Sequence, residues 1–156
     1  MKYVLPILLL FVAYSATAQQ KRVVNRAAGK VKDSLGVLAC PLNGGYQPVQ
    51  AKQAYEYDKP PLNIILTSNT DSAVRASIDG TVSKVQYGDE GKYEIVFYHN
   101  DYWFWYSGIG KAAVRANQKI KAGDALGYIQ PGDQIEILIY DFETPIDPKR
   151  YIDCKK

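Results

Sequence analysis

From Asn63 to the C-terminus, no segment of this 156-residue chain keeps an apolar period of 3.6 for three turns. Short alternating runs recur instead: Ile64 to Thr67, Val74 to Ile78, Thr81 to Tyr87, Tyr93 to His99, Tyr102 to Ser107, Ala125 to Ile129 and Gln134 to Tyr140. Between them stand turn residues, Ser68-Asn69-Thr70-Asp71, Asp79-Gly80, Gly88-Asp89-Glu90-Gly91, Asn100-Asp101 and Gly123-Asp124. Period-2 runs with turn signals every eight to twelve residues exclude a helix bundle and a βαβ arrangement. They predict an all-β fold, a small antiparallel barrel-like sandwich. At 47% hydrophobic residues, the chain has enough apolar side chain to form a core and is not a disordered polymer.

The N-terminus reads as an address. Lys2 precedes an apolar stretch from Tyr3 to Ala13, and Ala16-Thr17-Ala18 supplies small residues at the −3 and −1 positions of a cleavage site. Residues 1–18 are therefore expected to be a secretory signal peptide, with the mature chain exported to a periplasmic or extracellular location. The stretch is far shorter than the roughly 20 residues that span a bilayer, so no stable membrane anchor is expected. Residues 19–40, with Lys21, Arg22, Arg26, Lys30 and Lys32, read as a basic arm or linker, which places the β domain at 41–156. Pro41 to Gly45 and Lys59-Pro60-Pro61 mark loops. Export permits a disulfide between Cys40 and Cys154; the alternative is two unpaired thiols.

Charge and ligand counts exclude other classes. A net charge of +3 is too weak for a nucleic-acid partner. One histidine and two cysteines rule out most zinc sites built from this chain alone, so neither metal nor cofactor is expected. A weak internal echo links Val74-Arg75-Ala76 and the following Asp79-Gly80 with Val114-Arg115-Ala116 and the following Gly123-Asp124.

Candidate binding residues sit on two strands. In Tyr102-Trp103-Phe104-Trp105-Tyr106, alternation places Trp103 and Trp105 on one side and the other three rings on the opposite side. Either the tryptophans form an exposed platform for sugar rings or an apolar peptide, with Tyr106 beside them, or a second layer holding Tyr46, Tyr55 and Tyr57 covers them. In the last long strand Ile135, Ile137 and Ile139 share a core face, and Gln134, Glu136, Leu138 and Tyr140 the other. His99 near Asp101 suggests acid–base chemistry, or more simply a strand-end histidine. Asp133, Glu136, Asp141 and Glu143 gather around the last strand, but a glycosidase pair needs a separation that sequence does not give.

Several motifs, in order, resemble the LytM/lysostaphin-type peptidoglycan endopeptidases. They are Val74 to Val82 with its Asp79-Gly80 turn, Tyr93 to His99, Val114 to Gly127, and Pro145-Ile146-Asp147-Pro148 with Tyr151-Ile152. The resemblance covers roughly residues 41–152 and implies a duplicated-hybrid-motif β-sandwich. It also implies one zinc, held by a His and an Asp four residues apart and by the second His of an H-x-H strand. The first His of that strand and the His of a Y-x-H-L motif would support the attacking water. Mapped onto this chain, the first pair falls among Pro60, Pro61, Ile64 and Ile65. The H-x-H strand falls on Gln134-Ile135-Glu136, and Y-x-H-L on Tyr106-Ser107-Gly108-Ile109.

The expectation is therefore a non-catalytic member that keeps the fold. Its binding candidates are Trp103, Trp105, Tyr106, Gln134 and Glu136, and its partner is peptidoglycan or an exported wall hydrolase. The competing readings are an endopeptidase with an atypical site, a biotinyl/lipoyl-type carrier, and a purely structural extracellular domain. Export and the lack of any methionine beyond Met1 count against the carrier.

Overall fold

The strands fall largely where alternation and turn chemistry place them. The computed structural model describes residues 35–49, 62–88 and 91–154. All of them belong to one unit, Asp33–Lys156. Residues 1–18, expected to be a signal peptide, most of the expected basic arm, Tyr55, Tyr57, Pro60 and Pro61 lie outside the described residues. In chain order the elements are β1 (Leu38–Ala39), β2 (Ile64–Thr67), β3 (Ala73–Arg75), β4 (Gly80–Tyr87), β5 (Tyr93–His99) and β6 (Tyr102–Ile109). They continue with β7 (Lys111–Ala112), β8 (Lys119–Ile120), β9 (Ala125–Tyr128), β10 (Gln134–Asp141), β11 (Thr144–Ile146), a 3-10 turn (Pro148–Arg150) and β12 (Ile152–Asp153).

A seven-stranded sheet runs β11-β10-β6-β5-β4-β8, with β2 also paired to β10. One edge of β10 is shared: residues 134–137 pair with β2, and residues 139–141 with β11. A second sheet, β3-β9-β7, completes an open antiparallel sandwich. The Val74 to Ile78 run ends as a strand at Arg75, shorter than alternation predicts. There the β3–β9 register shifts, and Ala76 N–H turns to the carbonyl of Asp124 (2.9 Å). Val114 to Ala116, the second half of the echo, forms no strand.

The core lies between the sheets. Ile95 and Phe97 from β5, Phe104 and Tyr106 from β6, and Ile135, Ile137 and Ile139 from β10 are fully buried. Phe97 and Phe104 stack with ring centroids 4.9 Å apart. Burying each such side chain stabilises the fold by about 1.5–3 kcal/mol relative to exposure.

The packed unit also starts earlier than residue 41, which corrects the boundary expected from sequence. Leu35 and Leu38 are buried, and β1 pairs with β12 in parallel, Leu38 opposite Ile152. Two residues further along both strands, Cys40 and Cys154 are joined by a disulfide, with Cα atoms 4.8 Å apart. A parallel pair cannot be closed by a short hairpin, so this contact joins the two ends of the domain.

Candidate functional site

The side of the seven-stranded sheet turned away from the core carries a groove of about 420 Å³. Its lining includes Ile65 of β2, Lys92, Glu94 of β5, Ser107 and Gly108 of β6, and Gln134 and Glu136 of β10. Register explains the assembly: Glu136 lies directly opposite Ile65 on one side and Ser107 on the other. Directly opposed residues share a face, so three strands deliver their outward side chains to one place.

Of the positions to which the motif resemblance maps the zinc ligands or their supporting histidines, Ile65, Gly108, Gln134 and Glu136 line this groove, while Ile64 is buried in the core. Their chemistry does not fit the metal. Ile65 and Gly108 have no side-chain donor, and Gln134 is a neutral amide. The Glu136 carboxylate accepts a hydrogen bond from Asn63 Nδ2, and Glu94 accepts one from Gln86 Nε2. The Lys92 ammonium lines the same cavity and would repel a cation. A catalytic zinc takes three protein ligands and an open position. Among the described residues, no three His, Cys, Asp or Glu side chains are grouped so that they could hold a metal ion.

Gly108 adds a backbone reason. Between Tyr93–Ile109 and Ile95–Tyr106 the β5–β6 register shifts, which bulges β6 at Ser107-Gly108. Gly108 has φ 83°, and a Cβ there would collide with the carbonyl oxygen of Gln134. A histidine at this position would need both a disfavoured backbone conformation and a displaced β10. What the groove can do is hydrogen-bond: it offers an ammonium, two carboxylates, an amide and a hydroxyl. Lys92 Nζ also holds Asp133 Oδ2 at 2.7 Å, and that bond keeps the Asp133 carboxyl below its ordinary range.

The structure sorts the sequence candidates. Gln134 and Glu136 belong to the groove. Trp103 and Trp105 are 38% and 36% exposed on the same outward side of the sheet. Tyr46, named as a possible cover, instead bridges to Thr67 at the far end of β2. Tyr106 must be withdrawn as a binding residue. It is fully buried, with its hydroxyl 2.7 Å from Ser77 Oγ, because alternation points it inward with Phe104. Burial pushes its phenol up to about 12, although the Ser77 bonds pull the other way.

His99 stands outside the groove. Its Nδ1 donates to the carbonyl of Asp79 (2.9 Å) and its Nε2 accepts from Asn100 Nδ2 (3.0 Å), the role of a turn-pinning residue. Sequence reasoning missed Lys92 and Glu94. Alternation in β5 places Glu94 with Val96 and Tyr98 and was a usable signal for it; Lys92 lies in a turn and had none.

Comparison with known proteins now fits this geometry. The model of peptidase family M23 matches residues 63–148, more than half of the chain. The chain belongs to peptidase family M23. Among solved structures it is similar to Helicobacter pylori Csd3 in a hexagonal crystal, at TM-score 0.60 and 18% identity, over 76% of this chain and 33% of that one. The chain thus spans about a third of the length of Csd3. It is also similar to a chain of the SpoIIQ–SpoIIIAH pore-forming complex (TM-score 0.57, 19% identity, 78% of this chain and 94% of that one). A third likeness is to the catalytic domain of the prophage-encoded M23 protein EnpA of Enterococcus faecalis, in a mutant form (TM-score 0.52, 17% identity, 63% and 83% covered). At these identities the likeness is one of fold. No curated protein sequence matches the chain.

Proposed function

We propose that this chain is an exported, non-catalytic M23 module that binds cell-wall peptidoglycan without cutting it. One observation carries the reading. The groove that holds positions mapped by the motif resemblance to the metal site is lined by Ile65, Gly108, Gln134 and Glu136 together with Lys92. Such a lining hydrogen-bonds amides and carboxylates, the groups of a wall peptide, and supplies no Lewis acid to polarise a scissile carbonyl. Membership of the family directs the reading to the wall polymer, and the N-terminal address directs it to the exported compartment.

The test is co-sedimentation of the purified protein with intact peptidoglycan sacculi, with soluble muropeptide as competitor. The expected result is competed binding, no released fragments, and less than a tenth of a zinc ion per chain by elemental analysis. One tightly held zinc per chain with fragment release would overturn the non-catalytic reading. Failure to pellet with sacculi would remove the wall as direct ligand and leave a wall hydrolase as the partner to seek.

A further inference from the structure

The groove occupies only one end of the outward face. Moving along the strands away from it, the next row across the sheet is Lys84, Val96, Trp105 and Leu138, and the one beyond is Thr81, Tyr98, Trp103 and Tyr140. Each row is a set of directly opposed residues on β4, β5, β6 and β10, so the side chains stand next to one another on one surface. Trp103 and Trp105 are two residues apart on β6, roughly 7 Å by the rise of a strand. Tyr98 packs beside Trp103 with centroids 5.4 Å apart. Neither indole N–H has a hydrogen-bond partner among the described residues. Lys84 is the only charged residue in the two rows.

We infer that Tyr98, Trp103 and Trp105 form a stacking platform for the pyranose rings of a saccharide chain that continues into the groove. Three features select this occupant. The exposed fractions, 39%, 38% and 36%, leave at most about 280 Å² of residue surface on the three aromatics if each contributes about 250 Å². A stable protein dimer needs about 800 Å² per partner, so these three aromatics alone would not hold a second copy of the chain. A side-chain-reading peptide site needs pockets, whereas neither tryptophan lines the groove and both lie on the open pleat.

A pyranose ring has an apolar face of C–H groups and a polar rim. It matches flat rings that carry N–H groups at their edges, and the near absence of charge in the two rows suits a neutral ligand. The platform is continuous with the groove through Glu136 and Leu138 of β10, which share its outward face. The choice of N-acetylated amino sugars as the saccharide rests on the wall-binding reading above; the stacking of a pyranose does not.

Trp103 and Trp105 are the only tryptophans in the chain, so indole signals report this platform alone. The purified full chain is titrated with an N-acetylglucosamine hexamer, and separately with a free wall stem peptide. Tryptophan emission and the two indole N–H resonances are followed in the wild type, which needs no variant to fold. The expected result is a saturable shift of both indole resonances with the hexamer and none with the peptide. Trp103→Ala and Trp105→Ala should each weaken hexamer binding at least tenfold.

Hexamer affinity unchanged in a folded double variant would overturn the platform. So would indole shifts driven by the peptide alone, or a concentration-dependent dimer abolished by the two substitutions. Sacculus binding that persists in the folded double variant, with no hexamer response, would reject the platform and leave the wall reading standing. A hexamer response without sacculus binding would do the reverse.

Discussion

β6 carries aromatic rings on both sides, and the two sides behave differently. Tyr102, Phe104 and Tyr106 point inward and are buried, while Trp103 and Trp105 point outward and keep over a third of their surface exposed. The same alternation places Ile135, Ile137 and Ile139 inward on β10, and Gln134 and Glu136 in the groove. The inward side holds the sandwich together, and its chemistry is that of any β core. The outward side is polar at the end where the motif resemblance places the metal and aromatic at the other. One strand thus separates a buried side from an exposed side by a period of two, and a substitution one residue along moves from one to the other.

The comparison is broken most directly by paired truncations on β6. Phe104→Ala should cost about 3–5 kcal/mol in denaturant unfolding, since it empties a stacked, fully buried ring site. Trp105→Ala on the outward face should cost only about 1 kcal/mol, the scale of a cross-strand pair. Equal losses would show the outward face to be covered.

The edge where the termini meet comes next. Cys154→Ser should cost about 2–4 kcal/mol, because the bridge closes a 114-residue separation in the unfolded chain. Reduction of the wild type should give the same loss, and a smaller loss in either case would place β1 and β12 outside the cooperative unit.

Gly108→Ala tests the bulge and should cost about 1–3 kcal/mol, from its positive φ and its contact with Gln134. A neutral result would show that the groove backbone can relax enough to accept a side chain.

The smallest effect sharpens the inward side. Tyr106→Phe should cost about 1–2 kcal/mol through the unpaired Ser77 hydroxyl. With the folded phenol raised to about 12 from an ordinary value of 10.0, its stabilising contribution is full below the lower value. It is lost as pH rises from there through about 12. Thermal melts across that window should fall more steeply for the wild type than for Tyr106→Phe.

Much of this was legible in the chain. Each of the seven alternating runs contains or overlaps a strand, because a half-buried strand must repeat every two residues and turns need Gly, Asn and Asp. The Ile135–Ile137–Ile139 core face followed from the same rule. Among the described residues, the motif-mapped Ile65, Gly108, Gln134 and Glu136 lie on one groove and Ile64 does not, so the spacing of the motifs carried part of the three-dimensional information. Tyr106 was misplaced among the binding residues although its own alternation with Phe104 pointed it inward.

Sequence by itself determined the strand class, the two faces of β6 and β10, and the amino acids standing at the motif-mapped positions. All of these depend on local periodicity or residue identity. Only the tertiary structure decided that Leu35 and Leu38 join the core, that β1 lies parallel to β12, and that Lys92 and Glu94 share the groove with Glu136. Those facts depend on contacts between residues far apart in the chain. No local pattern encodes them, because the register of distant strands is set by the packing of the whole sandwich.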